Sequence, residues 1–244
     1  MKGVLLAGGQ GTRLLPLTKV TNKHLLPVYD KPVIYYAIEK MVEAGIDRIM
    51  IVTSPHHLDD FVSLLGSGQN FLALKTGKQI QIVYGIQNTP SGIVDGLYIA
   101  KDYIGSDNCL LYLGDNIVED SLAPAVKNFK DGATIFLKAV TEPRRFGIAT
   151  VNNNGLVTAV IEKPENPTSN LAAIGAYIFD NTVFNKMIGQ EKSTRGEYEI
   201  TYILDKYIKE NKLLAIPLKN NWFDIGTIDS LLEASNFMKK QKLA

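Results

Sequence analysis

The chain of 244 residues carries 26 basic and 25 acidic side chains, and 45% of its residues are hydrophobic. Its length fits one large α/β domain, and its balanced charge argues against a general nucleic-acid-binding or membrane-binding surface. Its first residues lack the apolar stretch of a signal peptide, and no run approaches the roughly 18 apolar residues of a membrane helix, so we expect a cytoplasmic protein.

Strand-like and helical segments alternate over the first 140 residues. The only cysteine, Cys109, begins one buried strand and cannot form an intramolecular disulfide. Such alternation indicates a Rossmann-like α/β fold, a mostly parallel sheet with helices on both faces, whose ligands bind beyond the C-terminal ends of the strands. The apolar patterns predict strands at residues 3–7, 48–53, 79–84, 109–113 and 133–140, and helices at 32–44, from Ser54 onward, at 92–104 and at 122–129.

The pattern becomes richer in strands after residue 140. Residues 152–155, Asn-Asn-Asn-Gly, predict a hairpin turn between two strands. We therefore expect a small β-rich lobe here, fused to the first half in one domain that spans residues 1–244. The predicted elements are strands at 146–151, 156–161, 172–179, 213–217 and 221–223, and helices at 182–187, 199–210 and 228–239.

A glycine-rich loop follows the first predicted strand. Gly8, Gly9 and Gly11 allow a ligand to approach the backbone closely, and Arg13 and Lys23 add positive charge in a stretch whose first 29 residues contain no acid. The spacing matches neither the P-loop pattern nor the dinucleotide-binding G-x-G-x-x-G pattern. The loop indicates a polyphosphate site, with a ligand-free turn between strand and loop as the alternative.

Residues 8–18 and 23–28 of this loop region carry a long motif. It resembles the opening of the sugar-1-phosphate nucleotidylyltransferases, and residues 29–36 are most similar to the glucose-1-phosphate thymidylyltransferases among them. The resemblance extends over residues 2–236 and implies transfer of a nucleotidyl group from dTTP to glucose 1-phosphate, with release of pyrophosphate. UTP is the alternative donor. A non-catalytic nucleotide-sugar sensor or regulatory subunit is the alternative from a different class.

The implied reaction is in-line attack of the sugar phosphate on the α-phosphorus. The attacking phosphate has a second pKa of about 6 and needs no general base. The three histidines, His24, His56 and His57, form no recognisable catalytic set, and we expect the last two to be a solvated loop pair. The chemistry needs positioning and charge neutralisation. The resemblance assigns these catalytic roles to Arg13, Lys23 and Lys163.

Two aspartates follow predicted strands in different halves of the chain. Asp115 and Asp224 are implied by the resemblance to be the pair that binds Mg²⁺. Mg²⁺ is usually held by one or two carboxylates together with waters and substrate phosphates. Aspartates at strand ends are also common turn or cap residues, which is the alternative.

The resemblance makes residues 1–140 the nucleotide-binding half and 141–244 the sugar-binding half. Gln87 and Gly92 are implied to read the base. The family pattern there is Gln-Pro-Ser-Pro-Asp-Gly followed by Leu-Ala-Gln-Ala, and this chain departs from it at Asn88, Ser91 and residues 93–97, so thymine and uracil both remain open. The implied nucleotide contacts are Leu6, Gly8, Gly9, Gly11, Thr12, Arg13, Lys23, Gln87, Gly92 and Asp115.

The sugar phosphate has its own implied set in the second half. Phe146 stands where most relatives have tyrosine, so one polar sugar contact is absent. Longer relatives continue past residue 236 with helices that contribute to subunit contacts and to a second nucleotide site. We therefore expect a homo-oligomer, a dimer or another small oligomer, with a different interface and with weak or absent feedback at a second site. The implied sugar-phosphate contacts are Asn116, Gly147, Glu162, Lys163, Gly175, Tyr177 and Arg195.

Overall fold

The computed structural model describes residues 1–69, 71, 77 and 79–243. Within these residues, no helix is long and apolar enough to cross a membrane. The strands are β1 (Lys2–Leu6), β2 (Pro27–Val28), β3 (Lys31–Pro32), β4 (Arg48–Thr53), β5 (Gln81–Ile86), β6 (Cys109–Leu113), β7 (Asn116–Val118), β8 (Ala133–Ala139), β9 (Gly147–Val151), β10 (Val157–Glu162), β11 (Leu171–Phe179), β12 (Leu213–Pro217) and β13 (Trp222–Asp224). The helices are α1 (Val33–Glu43), α2 (Leu58–Leu65), α3 (Ile93–Ile99), α4 (Lys101–Ile104), α5 (Ala123–Asn128), α6 (Val183–Lys186), α7 (Ile200–Lys209) and α8 (Ile228–Leu243).

One nine-stranded sheet organises the molecule. Strands β5, β4, β1 and β6 lie side by side and parallel, as the alternation of strands and helices predicts. Strand β11 then runs antiparallel to β6 and connects the sheet to the β9–β10 hairpin and to the β8–β12 pair. The Rossmann-like α/β class is confirmed, and the predicted β-rich lobe is continuous with the main sheet.

Strand β11 changes its pairing partner at its middle. Along the same side of β11, Ala172 pairs with β9, whereas the residues from Ala176 onward pair with β6. Between them, the backbone N–H of Gly175 donates a hydrogen bond to the side chain of Asn116 at 3.1 Å instead of to a strand. The segment that follows β6 therefore fills a gap in the sheet, at the edge where parallel strands end.

The core lies on both faces of the sheet. Successive residues of a strand point to opposite faces, so Val4 packs with Leu97 and Leu204 on one side, and Leu5 packs with Ile38 and Phe61 on the other. Helices α1 and α2 cover one face, and α3 and α7 cover the other. Cys109 is fully buried, as predicted, and burial raises the pKa of its thiol to about 12.

Several predicted boundaries need correction. The strand predicted at 79–84 is β5, residues 81–86, because parallel pairing with β4 runs from Arg48 opposite Gln81 to Thr53 opposite Ile86. The helix predicted at 92–104 breaks at Ala100, whose ψ is 3°. Helix α8 continues to Leu243, beyond the predicted residue 239. The two-residue and three-residue strands β2, β3 and β7 were not predicted, because they are too short to show periodicity.

Candidate active site

The glycine loop leads from β1 over the side chain of Lys23. A Cβ atom at Gly9 would lie 3.0 Å from Lys23 Cε, and one at Gly11 would lie 2.9 Å from Thr18 Cγ2. Gly11 has a φ of 63°, in the left-handed region that glycine tolerates. Gly11 and Thr12 form the turn into a short 3-10 helix, Thr12–Leu14. The glycines thus let the lysine stem lie against the loop.

Lys23 directs its ammonium group to Asp115, the aspartate that follows β6. The two form an ion pair, and both side chains are largely buried. Asn116 Nδ2 donates to Asp115 Oδ1 at 2.9 Å. Burial alone would raise the pKa of Asp115, but the charge and hydrogen bond of Lys23, with that of Asn116, lower it to about 2. Asp115 is therefore ionised at neutral pH.

Asp224 lies beside this pair, because β13 pairs with β7. Asp224 is opposite Asn116 in the register, and the N–H of Ile225 donates to the Asp115 carbonyl oxygen at 2.8 Å. Among the described residues, no group donates a hydrogen bond to the Asp224 carboxylate. Burial and the negative charge of Asp115 raise its pKa to about 6. The structure thus brings together the two predicted metal ligands.

Asn116 joins three segments of the site. Its Oδ1 accepts hydrogen bonds from the Gly175 N–H at 3.1 Å and from Trp222 Nε1 at 2.7 Å, while its Nδ2 holds Asp115. A Cβ at Gly175 would lie 2.7 Å from Asn116 Nδ2, so only glycine permits this approach. Asn116 was predicted to contact the sugar phosphate, but its side chain also positions Asp115.

Two adjoining cavities lie beyond the C-terminal ends of β1 and β6. They share Ile93 and Leu113 in their walls. The smaller, of about 220 Å³, is lined by the predicted nucleotide residues Leu6, Gly8, Gly9, Lys23, Gln87, Gly92 and Asp115. The larger, of about 450 Å³, is lined by Arg13, Asp224 and the predicted sugar-phosphate residues Asn116, Gly147, Glu162, Lys163, Gly175 and Tyr177.

Arg13 crosses from the glycine loop to the turn after β13. A Cβ at Gly226 would lie 2.6 Å from its Nη2, so the guanidinium lies directly against this turn. Its charge lowers the pKa of Asp224, against the larger effects of burial and Asp115. Arg13 is exposed and has no ion pair among the described residues, which leaves its charge available to a ligand in the larger cavity.

The sugar-side residues come from the start of β9, the end of β10 and the middle of β11. Lys163 has a φ of 43°, a strained conformation for a residue with a side chain, and lines the larger cavity next to Glu162. Tyr177 is buried, which raises the pKa of its hydroxyl group above the usual value. Arg195 is bound by three carboxylates, Glu162, Glu197 and Glu199, and is not among the residues that line the larger cavity.

Three ionisable residues that the sequence interpretation did not assign to the site also line the cavities. Arg145 lines the larger one, and its charge lowers the pKa of Asp224 in the same way as that of Arg13. His24 lines the smaller one, where burial and the charge of Lys23 lower its pKa to about 3, so it is neutral. Glu197 adds an acidic side chain there. Arg145 directly precedes Phe146, so its neighbourhood in the sequence could have indicated it.

We expect Arg145→Ala to weaken binding of a sugar phosphate. A lost hydrogen bond to a charged group costs about 1.5–3 kcal/mol, so KM for a sugar 1-phosphate should rise by roughly tenfold or more. Steady-state kinetics checks this, with the neighbouring, exposed Arg144 as the matched Arg144→Ala control. Equal KM values for the two variants would show that Arg145 does not contact the substrate.

Comparisons with known proteins identify relatives of this chain. The chain matches the family model described as nucleotidyl transferase over residues 2–241. It is 39% identical over 248 residues to the glucose-1-phosphate thymidylyltransferase of Mycolicibacterium smegmatis, covering 100% of this chain and 84% of the relative. It is 40% identical over 245 residues to that of Xanthomonas campestris, covering 98% and 80%.

Solved structures give the same result. A Bacillus anthracis protein assigned as a glucose-1-phosphate thymidylyltransferase, in complex with sucrose, superposes with a TM-score of 0.89 at 42% identity, covering 97% of this chain and 94% of that one. A UDP-glucose pyrophosphorylase complexed with UDP-glucose has a TM-score of 0.84 at 27% identity, with 98% of each chain covered. The resemblance inferred from the motifs is confirmed, and the chain belongs to the nucleotidyl transferase family of enzymes.

Proposed function

We propose that the protein transfers a thymidylyl group from dTTP to glucose 1-phosphate, giving dTDP-glucose and pyrophosphate. The observation that carries the proposal is the junction of the two cavities. Asp115 lines one cavity, Asp224 lines the other, and the two residues are held together by the β7–β13 pairing. A triphosphate in the smaller cavity and a sugar phosphate in the larger one would meet at these carboxylates.

The side chains around the junction supply positioning and charge. Arg13, Arg145 and Lys163 line the larger cavity and would offset the charge of two phosphate groups. Glu162 offers a carboxylate to sugar hydroxyls. Burial and the charge of Lys23 lower the pKa of His24 to about 3, so its imidazole is neutral and a weak base. The nucleophile is an ionised phosphate, which needs no such base.

The carboxylate pair fits Mg²⁺. When both are ionised, the negative charges of Asp115 and Asp224 repel each other. None of the described residues donates a hydrogen bond to the Asp224 carboxylate. No cluster of three or more potential ligands exists in the described part of the chain, which suits an ion completed by waters and substrate phosphates. Mg²⁺, when bound, would supply neutralisation of the phosphate charge at the α-phosphorus.

Pyrophosphate release tests the proposal. We expect release when the enzyme is given dTTP, glucose 1-phosphate and Mg²⁺ together, and little release when Mg²⁺ is chelated. Several nucleoside triphosphates and several sugar 1-phosphates should be compared in one grid. Release with none of the pairs would contradict the proposal, and a preference for another sugar phosphate would correct its acceptor.

A uridylyltransferase activity on the same sugar phosphate is the second candidate. Gln87 is the side chain proposed to read the base, and the ring N–H that it can recognise is present in both thymine and uracil. The same grid separates a uridylyltransferase from a thymidylyltransferase, because a uridylyltransferase would prefer UTP over dTTP.

A homodimer in the cytoplasm stays a prediction. Sedimentation of the purified protein tests whether it is a dimer.

A further inference from the structure

The amide group of Gln87 is fixed by two acceptors. Its Nε2 donates a hydrogen bond to Asp95 Oδ2 at 2.8 Å and a second one to the Gly92 carbonyl oxygen at 3.3 Å. A primary amide nitrogen carries two hydrogens, so both are used within the protein. Gln87 is 9% exposed, and its nitrogen therefore has no hydrogen left for a ligand.

The amide oxygen faces the smaller cavity. A Cβ at Gly8 would lie 2.8 Å from Gln87 Oε1, and both residues line that cavity. Among the described residues, none donates a hydrogen bond to this oxygen. A rotated amide would place Oε1 against a carboxylate and a carbonyl oxygen, two acceptors that cannot donate to it. The observed orientation is the one that these neighbours permit.

Asp95 provides the stronger part of this restraint. Its bond to Gln87 Nε2 is shorter than the one to Gly92 and has a charged acceptor, which strengthens it. Asp95 lies in α3, one of the positions where the chain departs from the family pattern. Asp95 also lines a separate cavity, together with Tyr98 and Lys101.

We propose that Asp95 is a positioning residue that determines base specificity, an inference that rests on the proposed function. By holding the Gln87 nitrogen, Asp95 leaves only the carbonyl oxygen for the base. An acceptor at this place selects a base with a ring N–H, such as thymine or uracil. It rejects cytosine, whose corresponding ring nitrogen is itself an acceptor.

The test is Asp95→Leu, which removes the acceptor and keeps a side chain of similar size. The ratio of kcat/KM for dTTP to kcat/KM for dCTP, at saturating glucose 1-phosphate, should fall by roughly tenfold or more. The change should lie in KM for dTTP, because the base is remote from the reacting phosphorus. Thermal unfolding shows whether the variant folds, and Asp95→Ala replaces it if it does not.

Two controls separate orientation of the amide from a general effect of substitution. Asp95→Glu keeps a carboxylate acceptor and should retain the wild-type ratio. Asp102→Leu makes the same change at an exposed position of α4 and should also retain it. A folded Asp95→Leu or Asp95→Ala enzyme with the wild-type ratio overturns the proposal, as does a wild-type enzyme that uses dCTP as well as dTTP.

Calorimetric Kd values for dTTP and dCTP, measured without the sugar phosphate, give the same ratio independently of turnover. If the wild-type protein shows no turnover but binds dTTP more tightly than dCTP, and Asp95→Leu loses this preference, the proposed function is contradicted and the role of Asp95 is supported. If the wild-type protein turns over normally and Asp95→Leu keeps the same preference, the proposed function is supported and the role of Asp95 is contradicted.

Discussion

Arg13→Ala should lower kcat by about 10²–10³ while the protein remains folded. Arg13 lies against the Gly226 turn and lines the larger cavity next to Asp224, where the charge of two substrates must be offset. Loss of one donor that stabilises developing charge typically has an effect of this order. Steady-state kinetics of pyrophosphate release gives kcat, and thermal unfolding gives stability.

The matched control is Arg48→Ala. Arg48 is an exposed arginine at the first residue of β4, at the opposite end of the parallel strands from the cavities. Its replacement should leave kcat close to the wild-type value. Arg13→Lys, which keeps the charge but loses the forked donor geometry, should recover part of the activity. Wild-type turnover in Arg13→Ala would remove Arg13 from the catalytic machinery.

Asp224→Asn should lower activity and raise stability at the same time. A neutral amide is a weaker ligand for Mg²⁺, and loss of this carboxylate should cost several kcal/mol of transition-state stabilisation, roughly 10²-fold or more in kcat. In metal-free buffer the same change removes a partly buried negative charge beside Asp115. Stability should therefore increase by on the order of 1–2 kcal/mol at pH 8, which raises Tm by roughly 2–8 °C.

The pH dependence of that stability gain has a definite sign. The pKa of Asp224 is raised to about 6 in the folded protein, so folding of the wild type is penalised above this pH, where the group is ionised. The penalty disappears as the pH falls toward the ordinary pKa of about 3.9 for an unfolded aspartate. The advantage of Asp224→Asn should thus be large at pH 8 and small at pH 4. A variant less stable than the wild type at pH 8 would contradict the account of the pair.

The glycine loop, Lys23, Asp115 and Asp224 could be proposed from sequence because each belongs to a short continuous motif that resembles the family pattern. Arrangements that depend on tertiary contact could not. The β7–β13 pairing places Asp224 opposite Asn116, and the side-chain hydrogen bond from Trp222 to Asn116 joins residues 106 positions apart along the chain. The restraint of Gln87 by Asp95 crosses from a loop to a helix, and no spacing pattern signals it.

The fold likewise has a part that local sequence patterns predict and a part that depends on tertiary contacts. Alternation of strands and helices predicted the parallel half, because buried parallel strands read as continuous apolar runs. The β9–β10 hairpin is held by the pairing of Ala172 with Ile148 and by the hydrogen bond from the Ala215 N–H to the Gly155 carbonyl oxygen, contacts that periodicity does not encode. The gap that this leaves beside Gly175 holds Asn116 and so creates the site.

The stereochemical course at the α-phosphorus tests the central claim most directly. That claim is direct in-line attack by the sugar phosphate, with no covalent intermediate on the protein. The substrate is one diastereomer of dTTP that carries sulfur at the α-phosphorus, together with glucose 1-phosphate. A single displacement predicts inversion of configuration in the nucleotide-sugar product. Retention of configuration, or no nucleotide-sugar product from dTTP itself, would contradict the account.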